Sequence, residues 1–364
     1  MDTMTRRTER TVRAERTLRA ERAGRGARDG SGARARGAGR TGGAGAVGRT
    51  ALSAALLAAL APLTLGAAAP ATVPAAAPPA VRPAVPAVVR PAVDRPIVFA
   101  RYTAAAPVED LYAVSPAGGV PAKLTHTPAV SDVMPSWSPD GKRVAFLRYG
   151  AGGAVDGIWT MKSTGGDLKA VPGTAGAAEP AWSPDGTRIA YSRPVGTQRE
   201  IYLAHLDGSP ATRLTHTAAD EHRPTWSPDG AQLAYSRADA SGNSRLMRLH
   251  LSTLAQTPIT LAGSRDWTPD WSRGNRIAFS RVDSTGFAHL YVVRPDGSGI
   301  HRITSARAHD RYPSWSPDGR RLVFTRGGTD DADPEHLFLV RADGTALTQL
   351  TKTDSHDLEA DWRP

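Results

Sequence analysis

The sequence predicts an all-β fold, a six-bladed β-propeller of four-stranded antiparallel blades closed by its C-terminal strand. Three observations carry this expectation. Trp137, Trp182, Trp226, Trp271, Trp315 and Trp362 recur at intervals of 45, 44, 45, 44 and 47 residues, the period of one four-stranded blade. The heptapeptide Pro-Ser-Trp-Ser-Pro-Asp-Gly occurs at residues 135–141 and again at 313–319. Each period holds four short runs rich in β-branched and aromatic residues with turn signals between them, and none long enough for a helix.

Within one period the elements follow in order. The first strand ends at the tryptophan. Ser-Pro-Asp-Gly then makes the first hairpin, at Ser138, Ser183, Ser227 and Ser316: Pro presets φ at one corner, Asp suits the next, and Gly takes the left-handed position. The fifth blade has the shorter Ser272-Arg273-Gly274-Asn275, where Gly-Asn reads as a two-residue turn. The second and third strands are runs such as Arg188–Arg193 and Ile201–Ala204. A second hairpin follows, marked by Gly118-Gly119, Gly165-Gly166, Asp207-Gly208, Asp296-Gly297 and Asp343-Gly344, while the blade of Trp226 has Leu251-Ser252-Thr253. The fourth run is Ala211–Thr215 in the same blade as Trp182. The six tryptophans read as core between blades, each burying on the order of 150 to 250 Å².

Ring closure is also legible. Ile97–Arg101 matches the second strand of the other blades, and Asp361-Trp362 matches the first. The last strand is therefore expected to complete a blade with Ile97–Arg101, Leu111–Val114 and Ala122–Thr125, leaving no open sheet edge. Residues 95–364 form the propeller on this reading.

The remaining N-terminal quarter is different in kind. Residues 1–49 are a basic low-complexity extension, residues 50–69 an apolar signal-peptide-like segment, and residues 70–94 an Ala/Pro-rich linker that favours extended polyproline II. Arg49, the Ala/Leu run from Ala51 to Leu60, and Gly66-Ala67-Ala68-Ala69 follow the order of an export signal with a small-residue cleavage site. The extension is too long for an ordinary signal n-region, and a translation start near Val47 is expected. The expected location is secreted or extracytoplasmic, in the cell envelope. Membrane contact is expected only through the N-terminal segment if uncleaved.

Charge divides along the same line. Residues 1–50 hold 13 Arg and 5 acids, whereas residues 101–364 hold 29 basic and 29 acidic residues. The folded part is thus neutral overall, which argues against a nucleic-acid interface. The absence of cysteine excludes disulfides, thiol nucleophiles and Cys-ligated zinc. Gly-x-Ser-x-Gly, His-Glu-x-x-His and phosphate-loop motifs are absent, and no hydrolase domain follows the repeats in this sequence, so a peptidase is not expected.

The Pro-x-Trp-Ser-Pro-Asp-Gly repeat, the following Ile-Ala-Phe or Leu-Ala-Tyr strand and the Arg-Leu-Thr ending resemble the WD-repeat-like propeller of the TolB family, over roughly residues 95–364. The resemblance implies a six-bladed propeller, a periplasmic setting, and association with the Tol proteins and the lipoprotein Pal. The folded N-terminal domain of that family has no counterpart here; the Ala/Pro-rich linker stands in its place.

Strand direction brings two sets of residues to the rim opposite the Ser-Pro-Asp-Gly turns. Five positions before each tryptophan stand Asp132, Ala177, Glu221, Asp266, Asp310 and Asp357. Ending the second strands stand Arg101, Arg148, Arg193, Arg237, Arg281 and Arg326. These read as Arg–carboxylate forks that fasten each blade rather than as an anion ring. Ala177 leaves Arg193 without its carboxylate unless Glu179 replaces it. Residues that differ between blades on the same rim are the candidate binding set: Met134, Glu179, Arg193, His222, Arg223, Trp267, Arg311, Tyr312 and Glu359. Variety on a repeated scaffold is where specificity resides, and Trp267 and Tyr312 are residue types suited to anchoring a peptide or sugar.

The functional expectation is a monomeric, non-catalytic binding module for a protein or an envelope polysaccharide, with no cofactor. The alternative is a metal-dependent carbohydrate-active enzyme similar to oligogalacturonate lyases, with His126, His216, His222, His309 and His356 as ligands in the channel; Leu-Thr-His-Thr at Leu124 and Leu214 also reads as strand capping. The acidic run Asp330-Asp331-Ala332-Asp333-Pro334-Glu335 could offer oxygen ligands for calcium, but it lacks an EF-hand pattern and reads as a solvated charge run rather than a calcium site.

Overall fold

The structure, a computed structural model, describes residues 96–103, 106–150, 152–328 and 333–364. The extension, signal-like segment and linker expected before residue 95 lie outside the described residues, as do Asp330, Asp331 and Ala332 of the acidic run. Among the described residues the strands form six four-stranded antiparallel sheets. Blade 1 is built from Ile97–Thr103, Ala106–Ser115 and Gly118–Lys123, with the C-terminal His356–Trp362 as its innermost strand. Ile97 lies opposite Trp362 and Arg101 opposite Asp357, so the expected closure is present. The innermost strands of blades 2 to 6 are Ser131–Trp137, Ala178–Trp182, Asp220–Trp226, Asp266–Trp271 and His309–Trp315.

The repeated tetrapeptide is explained by its hydrogen bonds. Ser138 Oγ donates to Asp140 Oδ1 at 2.7 Å and accepts the Arg143 N–H at 2.9 Å, while Asp140 Oδ1 also accepts the Lys142 N–H at 3.0 Å. Gly141 closes the turn onto Ser138 O with φ 63°, a conformation that costs an L-residue but not glycine. In blade 5 the left-handed corner is taken by Asn275 (φ 56°) rather than by Gly274, and its Oδ1 accepts the Trp271 Nε1–H at 2.9 Å. Leu254 (φ 56°) fills the corresponding corner of the second hairpin in blade 4, where glycine is missing.

The Leu-Thr ending has an equally local cause. Thr125, Thr215, Thr260, Thr304 and Thr351 are buried, and each Oγ1 accepts an N–H from the third strand of its own blade, at 2.9 to 3.0 Å. The fourth strand is short in most blades, two residues in blades 2, 3, 5 and 6. Short outer strands leave little unpaired edge for another chain to extend.

Packing runs between blades. Phe99, Phe146, Tyr191, Tyr235, Phe279 and Phe324, at one position of the six second strands, are fully buried. Five of the six repeated tryptophans are buried as expected; Trp182 is half-buried and its Nε1 has no partner. The preceding blade also differs there. Arg188, Arg276, Arg321 and Arg363 lie over the rings of Trp226, Trp315, Trp362 and Trp137, at 4.8, 4.8, 5.0 and 5.6 Å. Arg143, which occupies the matching place before Trp182, is drawn instead to Asp167 at 2.8 Å.

Candidate functional site: the central channel and its mouth

Each innermost strand carries one extra residue relative to its partner, a β-bulge three residues before the tryptophan. The bulged residues are Met134, Glu179, Arg223, Thr268, Tyr312 and Glu359, all at φ between 52° and 61°. Left-handed backbone at a non-glycine residue costs on the order of 1 kcal/mol or more, and here it is repeated in every blade. The bulge turns these side chains into the lumen, where all six line one central cavity.

Arg223 dominates this ring. Its Nη2 donates to Glu359 Oε1 at 2.8 Å, its guanidinium lies 4.5 Å from the Tyr312 ring centroid, and its Nε stands 3.5 Å from Glu179 Oε1. The two glutamates also accept backbone N–H groups of the next blade: Glu179 that of Arg223 at 2.8 Å, Glu359 that of Met134 at 3.1 Å. Burial would raise the Glu179 carboxyl, but His222, Arg223 and Arg199 beside it hold it well below the usual carboxylate range. With Arg223 across it, the lumen keeps a cavity of about 130 Å³, below the roughly 300 Å³ at which ligand pockets begin.

A second ring, one residue before each tryptophan, forms a directional belt. Ser136, Thr225, Asp270, Ser314 and Asp361 accept the backbone N–H of the next blade's tryptophan, namely Trp182, Trp271, Trp315, Trp362 and Trp137, at 2.7 to 3.3 Å. Ala181 has no acceptor to offer, and Trp226 is held by its Nε1–H on Ala181 O at 3.0 Å instead. Burial pushes Asp270 up to about 6, and burial together with the charge of Asp270 pushes Asp361 up to about 7.

On the mouth side the forks are as expected in four blades. Arg101–Asp357, Arg148–Asp132, Arg281–Asp266 and Arg326–Asp310 are bidentate at 2.6 to 2.9 Å, with every carboxylate fully buried. Arg237 holds only Oε1 of Glu221, with Nε at 2.9 Å and Nη2 at 2.7 Å, and its Nη2 also donates to Tyr235 and Gln256; among the described residues Glu221 Oε2 is buried without a partner. In blade 3 Glu179 does not replace the missing carboxylate. It faces the lumen, and Arg193 lies over Tyr202 at 4.1 Å with Nη1 donating to Gly173 O at 3.3 Å.

The nine candidate residues therefore fall into three groups. Met134, Glu179, Arg223, Tyr312 and Glu359 are lumen residues. His222, Trp267 and Arg311 stand one residue nearer the mouth, and Arg193 sits apart between the second and third strands of blade 3. His222 is buried, with Nε2 at 3.1 Å from Asp220 and Nδ1 at 3.6 Å from Glu179; its ring lies 6.3 Å from Trp267. Burial favours the neutral imidazole, but the two carboxylates outweigh it and raise His222 to about 9. Trp267 and Arg311 are half-buried and Arg265 is exposed; neither arginine makes an ion pair among the described residues.

The five histidines do not converge. His126 and His216 are exposed, His222 is wedged between carboxylates, His309 packs on Phe287 at 5.3 Å and His356 stacks on Tyr102 at 4.4 Å. Among the described residues no group of three or more His, Asp or Glu side chains is placed to hold a metal ion. Sequence reasoning missed Thr268 in the lumen and the whole second ring. Their signal was present, since both rings sit at fixed offsets, three and one residues before the repeated tryptophan.

The fold is a closed six-bladed propeller whose lumen is crossed by the Arg223–Glu359 bridge. The family model described as the TolB beta propeller domain matches residues 97–364, and the chain belongs to that family. Among solved structures it is similar to TolB from Acinetobacter baumannii, with 20% identity and a TM-score of 0.63, covering 74% of this chain and 66% of that one. A TolB-assigned structure from Agrobacterium tumefaciens has 22% identity and a TM-score of 0.57, over 74% of this chain and 99% of that one. A chain of a nidogen/laminin complex shares the fold at 10% identity and a TM-score of 0.57, over 73% of this chain and 97% of that one. A search of the curated proteins found no match.

Proposed function

We propose that the protein is an exported, monomeric TolB-type propeller that binds a protein partner at the channel mouth and catalyses no reaction itself. The observation that carries this reading is the Arg223–Glu359 bridge. It fills the lumen to a cavity of about 130 Å³ and leaves recognition to the mouth. There Trp267 offers an aromatic surface and Arg311 and Arg265 offer unpaired guanidinium groups, residue types enriched at the centres of protein interfaces. The nidogen/laminin structure, a protein complex on the same fold, supports a protein as the occupant. Export rests on the order of basic, apolar and small residues between Val47 and Ala69.

A photo-crosslinking residue at the position of Arg311 tests the reading in extracts of the native host. A crosslinked partner polypeptide is expected, with none from the same residue placed at Ser298 on the opposite face. Crosslinking only to polysaccharide would transfer the proposal to an envelope polymer. Stoichiometric manganese or zinc in the purified protein, with a chelator-sensitive melt and cleavage of uronate polymers, would overturn the non-catalytic reading.

A further inference from the structure

The face built from the Ser-Pro-Asp-Gly turns and second hairpins plays no part in the reading above, and its charge is unevenly shared. In the turn segments 272–276, 294–298, 316–321 and 341–345, together with Arg363, seven arginines stand against three aspartates. In the equivalent segments of blades 3 and 4, 183–188, 205–209, 227–232 and 250–255, one arginine stands against three aspartates. The turns require their aspartates: Asp296, Asp318 and Asp343 each spend Oδ1 on N–H and hydroxyl groups of their own turn. They do not require the arginines, because the Ser-Pro-Asp-Gly turn of blade 4, 227–232, closes without one. The neutral total of the propeller conceals this local excess.

The excess surrounds a groove of about 550 Å³ between blades 5 and 6, lined by Arg276, His301, Arg320, Arg341 and Asp343 among others. Arg276 is held in place by the Trp315 ring at 4.8 Å and by Gly319 O, to which its Nη2 donates at 2.6 Å. It makes no ion pair among the described residues. Arg320 and Arg341 are exposed and likewise make none. Arg321 and Arg363 continue the row on the rings of Trp362 and Trp137.

Groove chemistry narrows the occupant. Apart from His301, no aromatic side chain lines it, so it provides no platform for stacking sugar rings or nucleobases. Exposed aspartates, Asp296, Asp318 and Asp343, are interspersed with the arginines, which disfavours a broad anionic surface such as a bilayer. What remains is a thin chain whose anionic groups are its recognisable feature. Phosphate oxygens match several guanidinium forks in succession.

We propose that the turn face of blades 5 and 6 is a docking groove for a linear phosphate polymer, held by Arg276, Arg320 and Arg341. This surface is separate from the channel mouth and does not depend on the function proposed above.

The test uses the full chain and a short inorganic polyphosphate as probe, read by backbone hydrogen exchange so that binding to the basic residues 1–50 is distinguished from binding to the groove. Slowed exchange is expected at 316–321 and 341–345. The double variant Arg320→Ala/Arg341→Ala, which alters only exposed side chains, should bind about tenfold more weakly. Its log affinity against log salt should be shallower by about 1.5. Polygalacturonate of matched charge should bind more weakly than polyphosphate. Protection confined to residues 1–50, or an unchanged affinity in the double variant, would overturn the groove. Equal binding of polygalacturonate would overturn the phosphate assignment.

Discussion

Arg223 donates to Glu359 at 2.8 Å across the lumen, joining blade 4 to blade 1, which stands three blades away around the ring. The two side chains are 136 residues apart in sequence. Blade-to-blade packing holds neighbours; this pair ties opposite sides.

Replacing Arg223 with Ala leaves Glu359 and Glu179 with less compensation in a confined site, and a loss of about 3 kcal/mol is expected. The double variant Arg223→Met/Glu359→Leu should lose less than the sum of its single variants. Urea unfolding of the four proteins measures the coupling, and additive losses would show that the bridge contributes nothing.

Arg148→Ala breaks a bidentate fork whose partner Asp132 is fully buried; a loss of about 3 to 5 kcal/mol follows from stranding that carboxylate. Arg193→Ala removes a ring contact and one long hydrogen bond, and about 1 kcal/mol is expected. Equal shifts in the unfolding midpoint would sink the view that the forks, rather than the arginines alone, fasten the blades.

Asp361 is raised to about 7 in the folded protein, against roughly 3.9 for an unperturbed carboxyl. The folded state therefore binds this proton more tightly than the unfolded chain, and the ionised group destabilises the ring. That cost is full above pH 7 and vanishes below about pH 4. Asp361→Asn, which retains an oxygen for the Trp137 N–H, should melt higher than wild type at pH 8. The gap should narrow steadily toward pH 4. A gap independent of pH would refute the assignment.

His222 behaves oppositely. Raised to about 9 by Glu179 and Asp220, its stabilising effect is full below about pH 6.5 and is lost as pH rises through 9. His222→Gln should therefore cost most stability at pH 6 and least at pH 10, and imidazole NMR titration gives the midpoint directly.

Removing Glu359–Pro364 deletes Trp362, Asp361 and the Arg363 that covers Trp137. Blade 1 would keep three strands, with the edge of Ile97–Thr103 open toward the channel. Cooperative loss of the whole ring at a lower temperature is expected by circular dichroism, and an unchanged melting curve would contradict closure.

Much of the fold was legible because its determinants are local and repeated. Trp spacing set the blade count, Ser-Pro-Asp-Gly set the first hairpins, and the match of Ile97–Arg101 to other second strands revealed the closing strand. The site was less legible because its key contacts join residues far apart in the chain. Nothing near Arg223 announces Glu359, and Glu179 looked available to Arg193 until the bulge turned it into the lumen. Nor does the sequence around Trp182 show that it is half-buried while the other five repeated tryptophans are buried.

The hydrogen-bond belt runs one way round the ring, each blade offering an acceptor to the one after it, and its last link is Asp361 to Trp137. A nascent chain can thus complete five blades while the first, though synthesised earliest, waits with three strands. Only when 356–362 has emerged does the circle shut. Until then the ring is an open arc whose first blade lacks its innermost strand.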